Sequence, residues 1–147
     1  MQLSTKGRYA VMAMVDMARQ GECRAVKLAE IAERQEISLA YLEQLFARLK
    51  RAGLVVSVRG PGGGYRLAKS AADTPVLEVV RAVDEPLEVT RCASHGITGC
   101  LAGGAKCLTH DLWEALGDEI DGFLGRVSLD DVVQRRVKPR TEAIVAA

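Results

Sequence analysis

Cys92, Cys100, Cys107 and His110 form the pattern C-x7-C-x6-C-x2-H within a chain of 147 residues. Three thiolates and one imidazole are a donor set for a [2Fe-2S] cluster, where His in place of a fourth Cys makes the site less negative and raises its potential. The same four donors suit tetrahedral zinc. Structural zinc sites pair close ligands on both sides, and here only Cys107 and His110 are close. The spacing therefore leans towards a cluster and leaves zinc open. His95 competes with His110 for the imidazole position, and Cys23 stands apart as a lone structural or surface thiol. Cys107 with His110 is also the only nearby nucleophile and base, but no oxyanion donor set accompanies the pair, so the sequence does not read as an enzyme.

A second group of polar residues occupies positions 38–51. Tyr41, Gln44, Arg48 and Arg51 fall on the side of a helix opposite Leu39, Leu42, Phe46 and Leu49. In a DNA major groove Gln44 can bond an adenine edge and Tyr41 a base or phosphate, with Arg48 and Arg51 nearer the backbone. Glu43 is the exception, because a carboxylate between phosphates is repelled unless it accepts from cytosine N4. It can act against some sequences. Arg59 precedes a glycine-rich tip, Gly60-Pro61-Gly62-Gly63-Gly64, from which a guanidinium can enter a minor groove while the glycines let backbone approach phosphates. No Lys-Ser/Thr follows those glycines, so the tip is not a nucleotide-binding loop. The plainer readings are an amphipathic surface for the helix and a flexible turn for Gly62 to Gly64.

The elements that must hold these groups follow from periodicity and breakers. Residues 4–20 carry an apolar helical face ended by Gly21, and Leu28, Ile31 and Ala32 mark a short helix ending near Gln35. Ser38 caps a longer helix with Gly53 just past its end. Two helices joined by so short a turn make a helix-turn-helix candidate. The runs 54–58 and 65–68 flank the breaker cluster as a hairpin, and Thr74-Pro75 opens a further helix. Three helices and a hairpin are the order of a winged helix.

From Asp84 to Cys107 the chain is aperiodic, which in a compact protein points to function or disorder. From Thr109, Leu112, Leu116, Ile120, Phe123, Leu124 and Val127 recur at helical spacing. That stripe implies a homodimer through the same helix of a second chain. Ser128-Leu129-Asp130-Asp131 resembles a capping box for a last short helix, and the tail from Arg135 reads as frayed. The expected fold class is thus mainly α with a small β-hairpin wing. Residues 1–83 form a winged helix-turn-helix domain, 84–108 a cysteine-rich loop, 109–134 a dimerisation helix and short following helix, and 135–147 a flexible tail.

Charge agrees with this division. Residues 1–70 hold twelve Lys/Arg against six Asp/Glu, and residues 71–147 hold eight against thirteen. A basic first half suits a polyanion, and an acidic second half suits a segment that does not touch it. No stretch approaches the roughly 20 apolar residues of a membrane span, and the charged first twenty residues do not read as a signal peptide. A cytoplasmic protein without membrane contact is expected.

The chain resembles iron-sulfur cluster regulators of the IscR type, a family of winged-helix transcription factors. The resemblance rests on Leu3-Ser4-Thr5-Lys6-Gly7-Arg8-Tyr9-Ala10-Val11, on Ile37-Ser38-Leu39-Ala40-Tyr41-Leu42-Glu43-Gln44-Leu45-Phe46, and on Val58-Arg59-Gly60-Pro61-Gly62-Gly63-Gly64-Tyr65. It also rests on Cys107-Leu108-Thr109-His110 with the downstream Leu-Trp. It implies a homodimer that binds a [2Fe-2S] cluster through Cys92, Cys100, Cys107 and His110 and represses cluster-assembly genes on a double-stranded DNA operator. Cluster-donating scaffold proteins would be further partners. It implies that Ser38, Ala40, Tyr41 and Gln44 read the major groove, that Arg59 and Gly60 meet the minor groove, and that Glu43 disfavours one operator class until cluster binds.

Two departures stand out: longer spacing between the cysteines, which bears on cluster type, and Ala40 in place of a hydroxyl residue, which bears on one base contact. A related nitric-oxide-sensing branch, to which a [4Fe-4S] cluster would point, shares the N-terminal half. His110 favours the assembly-regulator branch. A DNA-binding protein with structural zinc is the remaining alternative.

Overall fold

Ser4 opens the first helix, α1 (Thr5–Arg19): its backbone is extended and its side chain accepts from the Gly7 N–H, satisfying one orphan donor of the first turn. The computed structural model describes residues 4–83 and 99–138. Ala10, Ala13, Met14 and Met17 recur at intervals of three and four along α1, and all are buried. α2 (Leu28–Gln35) is short and ends at Glu36, which takes the left-handed conformation with φ 54° and ψ 41°. For a residue with a Cβ this costs about 1–2 kcal/mol. Burial of Ile37 and its N–H bond to the Ala32 carbonyl at 3.1 Å offset that cost.

Ser38 then caps α3 (Leu39–Arg51) by accepting from the Tyr41 N–H. Gly53, with φ 76°, turns the chain out of α3 into the hairpin. Strands β1 (Val55–Val58) and β2 (Gly64–Leu67) pair antiparallel, with Val55 opposite Leu67 and Val58 opposite Gly64. Helix, helix, helix and hairpin is the winged-helix order expected from the sequence.

Three further helices complete the described chain: α4 (Val76–Val83), α5 (His110–Arg126) and α6 (Leu129–Val133). Ser128 and Asp131 form a reciprocal capping box at the start of α6. The Ser128 backbone N–H, then its hydroxyl, hold the Asp131 carboxyl below the usual carboxylate range. The Val76 N–H donates to Val127 O at 2.8 Å and the Leu129 N–H to Thr74 O at 3.0 Å, so α6 starts against the start of α4. Leu129 is thereby fully buried in the same core as Met14, Ile31, Phe46 and Val80. Arg136, just beyond α6, forms ion pairs with both Asp130 and Asp131.

A polar contact links α1 and α2 beside this core. Asp16, 3% exposed, accepts from Arg34 Nε at 3.1 Å, from Arg34 Nη2 at 2.7 Å and from Gln35 Nε2 at 3.0 Å. A buried carboxylate with three donors is satisfied, and the contact clamps α2 to α1. α5 differs from the other helices: within the protomer only His110 is buried along it. Leu112 is 60% exposed, and Trp113, Leu116, Ile120, Phe123 and Leu124 are half-buried. Among the described residues no helix is long and apolar enough to cross a membrane.

Candidate nucleic-acid interface and metal centre

The open face of α3 is largely the one its sequence suggests, with Leu39 and Tyr41 as the exceptions. Leu42, Leu45, Phe46 and Leu49 are the buried row, whereas Leu39, expected inward, is 43% exposed. Leu39 is the first residue of the helix, ahead of the turn that Phe46 and Leu49 press into the core. Ala40, Glu43, Gln44, Ala47 and Lys50 are exposed. Tyr41 leans the other way, its ring edge-on to Tyr9 of α1 with centroids 5.8 Å apart. Arg48 donates through Nη1 to the Val83 carbonyl at 2.6 Å, tying α3 to the end of α4. Of the residues expected to face a ligand, Ser38, Ala40, Glu43, Gln44, Arg48 and Arg51 are exposed, and Tyr41 is half-buried.

Side-chain contacts set the wing beside this helix, and backbone contacts tie it to the chain ahead of α2. Lys50 Nζ donates to Ser57 Oγ at 2.9 Å, and the Phe46 and Tyr65 rings meet at 5.1 Å, which braces the hairpin against α3. Tyr65 exchanges two backbone hydrogen bonds with Val26, at 2.7 and 2.8 Å, which lays the chain ahead of α2 along β2. The approach is close enough that a Cβ on Gly64 would lie 2.4 Å from the Val26 carbonyl oxygen. At the tip Arg59, Gly60, Pro61 and Gly62 are all exposed. Arg59 and Gly60 are therefore presented to solvent at the tip of a braced hairpin.

The third feature is the turn that leads into α5. Gly99, Leu101 and Gly104 donate backbone N–H groups to Gly104, Ala105 and Leu101 respectively, folding residues 99–105 back on themselves. This turn carries Cys100 so that its Sγ lies 3.0 Å from Nδ1 of His110. His110 is 8% exposed, with its other ring nitrogen 3.9 Å from a Glu114 carboxylate oxygen. Cys107, half-buried, has its Sγ 3.6 Å from Thr109 Oγ1.

The structure thus brings Cys100 against His110 and places Cys107 three residues before it, while Cys92 and His95 lie outside the described residues. Cys23 is exposed on the connection after α1. As donor chemistry, two half-buried thiols beside a buried imidazole fit an iron-sulfur cluster, and zinc equally. The disposition of His110, one nitrogen towards the thiol and the other towards Glu114, matches ligands whose second nitrogen faces a carboxylate. Sequence reasoning missed Glu114, although its i+4 spacing from His110 is a signal for it. Donor atoms of His110, Asp111 and Glu114 all lie within 4.8 Å of one another.

Residues 3–135 match the family model described as Rrf2, iron-dependent transcriptional regulator. The chain belongs to the Rrf2 family. Among curated Rrf2 relatives, the HTH-type transcriptional regulator IscR of Escherichia coli (strain K12 / DH10B) is 55% identical over 136 residues, spanning 92% of this chain and 82% of that protein. Among solved structures, IscR of T. potens superposes with a TM-score of 0.75 at 36% identity, covering 93% of this chain and 89% of that one. CymR, the global cysteine regulator of B. subtilis, gives a TM-score of 0.78 at 27% identity, covering 92% and 98%. This Rrf2 chain is accordingly an IscR-type helix-turn-helix transcriptional regulator and not an enzyme.

Proposed function

We propose that the chain is a cytoplasmic, homodimeric repressor of iron-sulfur cluster-assembly genes, whose operator choice depends on a [2Fe-2S] cluster held by Cys92, Cys100, Cys107 and His110. The observation that carries this reading is the contact of Cys100 Sγ with His110 Nδ1 at 3.0 Å, made across ten residues by the turn at 99–105. Similarity to IscR over 92% of the chain supports the choice of cluster over zinc. Bound there, a cluster supplies a centre sensitive to iron supply and oxidation.

The protein residues do the rest. Ser38, Ala40, Tyr41, Glu43 and Gln44 lie at the start of α3, where a helix-turn-helix meets base edges, and Arg59 and Gly60 form the wing tip for the minor groove. The half-exposed stripe Leu112, Leu116, Ile120, Phe123 of α5 is the surface for a second copy. His110, the first residue of α5, joins the thiol turn to that helix. Arg81 of α4 pairs with Asp121 of α5, and Arg48 of α3 holds the end of α4. Ligation at Cys100 and His110 is therefore placed to bias how α5, α4 and α3 sit together, and through the dimer the spacing of the two α3 helices. In functional terms residues 1–83 bind DNA, 84–108 sense, and 109–134 dimerise.

The test is purification without oxygen, followed by visible absorption, iron, sulfide and zinc content, and operator binding with and without metal. About two irons and two sulfides per chain, with binding at some operators lost in the metal-free form, is the expected result. About four irons would move the reading to the nitric-oxide-sensing branch. A colourless zinc protein would retain DNA binding and overturn cluster sensing.

A further inference from the structure

Ser4, Ser38 and Ser128 each cap a helix with the side chain, on extended backbone. Thr109 occupies the same position at the start of α5 and makes no capping bond; its backbone is at φ −104°, ψ 10°. Its hydroxyl is engaged elsewhere, 3.2 Å from Nε1 of Trp113 and 3.6 Å from Sγ of Cys107. An N-cap bond is worth about 1 kcal/mol, so a threonine that forgoes it requires another explanation.

Directionality supplies one. An indole N–H can only donate, so Trp113 uses a lone pair of Thr109 Oγ1 and leaves the hydroxyl proton to point elsewhere. Among the described residues the Cys107 sulfur lies within reach of that proton, and as a ligating thiolate it can only accept. We propose that Thr109 is a positioning residue that donates a hydrogen bond to the Cys107 thiolate, with Trp113 holding it in that orientation, so that the pair raises the reduction potential of the metal centre. This rests on the cluster reading above. Hydrogen bonds to ligating sulfur stabilise the more negative, reduced state and are one of the levers that set such potentials.

Trp113 is the one tryptophan in the chain, so the fluorescence comes from the indole that makes this contact. The variants are Thr109→Val, which keeps the shape and loses the hydroxyl, Thr109→Ser, which restores it, and Trp113→Phe. In the metal-free protein, Thr109→Val should shift the tryptophan emission and Thr109→Ser should restore it. In the loaded protein at equal iron and sulfide content, Thr109→Val should move the reduction equilibrium about tenfold towards the oxidised form, about 59 mV for a one-electron couple. Thr109→Ser should return to within about twofold of wild type, and Trp113→Phe should fall between. A potential for Thr109→Val indistinguishable from wild type, or a Thr109→Ser variant that behaves like it, overturns the proposal. A wild-type protein that takes up no iron is instead the failure of the cluster reading. Unchanged emission in metal-free Thr109→Val overturns the Thr109 contact itself in either case.

Discussion

The guanidinium of Arg48, on α3, donates to the carbonyl oxygen of Val83, the last residue of α4, at 2.6 Å. The bond joins the helix that faces outward to the point where the cysteine-bearing segment begins. A hydrogen bond from a charged donor is worth about 1.5–3 kcal/mol, enough to transmit a preference between two arrangements. Arg48→Met is expected to lower stability by about 1–2 kcal/mol. It should also bring the operator affinities of metal-loaded and metal-free protein closer together. Affinity titrations of both forms check this, and an undiminished difference between them would remove Arg48 from the coupling.

Glu43 stands exposed on the same face of α3 as Gln44. A carboxylate there meets phosphates and base edges with no partner except cytosine N4. Glu43→Ala is expected to let the metal-free protein bind operators that otherwise need the loaded form, with a gain of about tenfold or more, since one charge clash is worth at least 1.4 kcal/mol by this reading. Fluorescence anisotropy at fixed salt measures it, and unchanged affinity would refute the clash.

Gly99 is confined by backbone rather than by flexible side chains. An added Cβ would fall 2.4 Å from the Ala105 carbonyl carbon and oxygen and 2.5 Å from the Gly104 oxygen. Gly99→Ala must therefore open the turn that presents Cys100 to His110. The expected outcome is a protein that melts within a few degrees of wild type but retains less than about half its iron, because the turn is largely exposed and adds little to the core. Iron retention equal to wild type would show that this turn does not hold the site.

Asp16 anchors α2 through Arg34 and Gln35. Removing one partner of a buried pair costs about 3–5 kcal/mol, less where the other partner reaches solvent, as Arg34 does at 35% exposure. Asp16→Ala is expected to lose about 2 kcal/mol in urea unfolding, with operator affinity unchanged once the folded fraction is taken into account. A drop in affinity of the folded protein would mean that the clamp also sets the angle of α3.

Much of this molecule is local in origin and was legible as such. Ser38 and Ser128 read as caps, and Ser4 caps α1 in the same way, because a short hydroxyl side chain reaches the free N–H groups of its own next turn. The breaker cluster after Arg59 makes a hairpin tip wherever it lies in a chain, and the C-x7-C-x6-C-x2-H pattern names its donors without reference to fold. The winged-helix order and the outer elements follow from such signals.

Other features depend on contacts that no local pattern contains. Periodicity places Tyr41 and Arg48 on the open face of α3, but the Tyr41 ring packs on Tyr9 of α1 and is half-buried, while Arg48 stays exposed and reaches the Val83 carbonyl of α4. Glu36 takes a left-handed turn that its residue type does not announce, because burying Ile37 outweighs the strain. The sequence by itself determined the elements, their caps and the chemistry of the donors, since those depend on neighbours within a few residues. Only the tertiary structure decided that Tyr41 of α3 packs on Tyr9, that Leu129 returns to the core, and that Cys100 meets His110. Each of these is a competition between surfaces distant in the chain, settled by the packing that buries most apolar area at least polar cost.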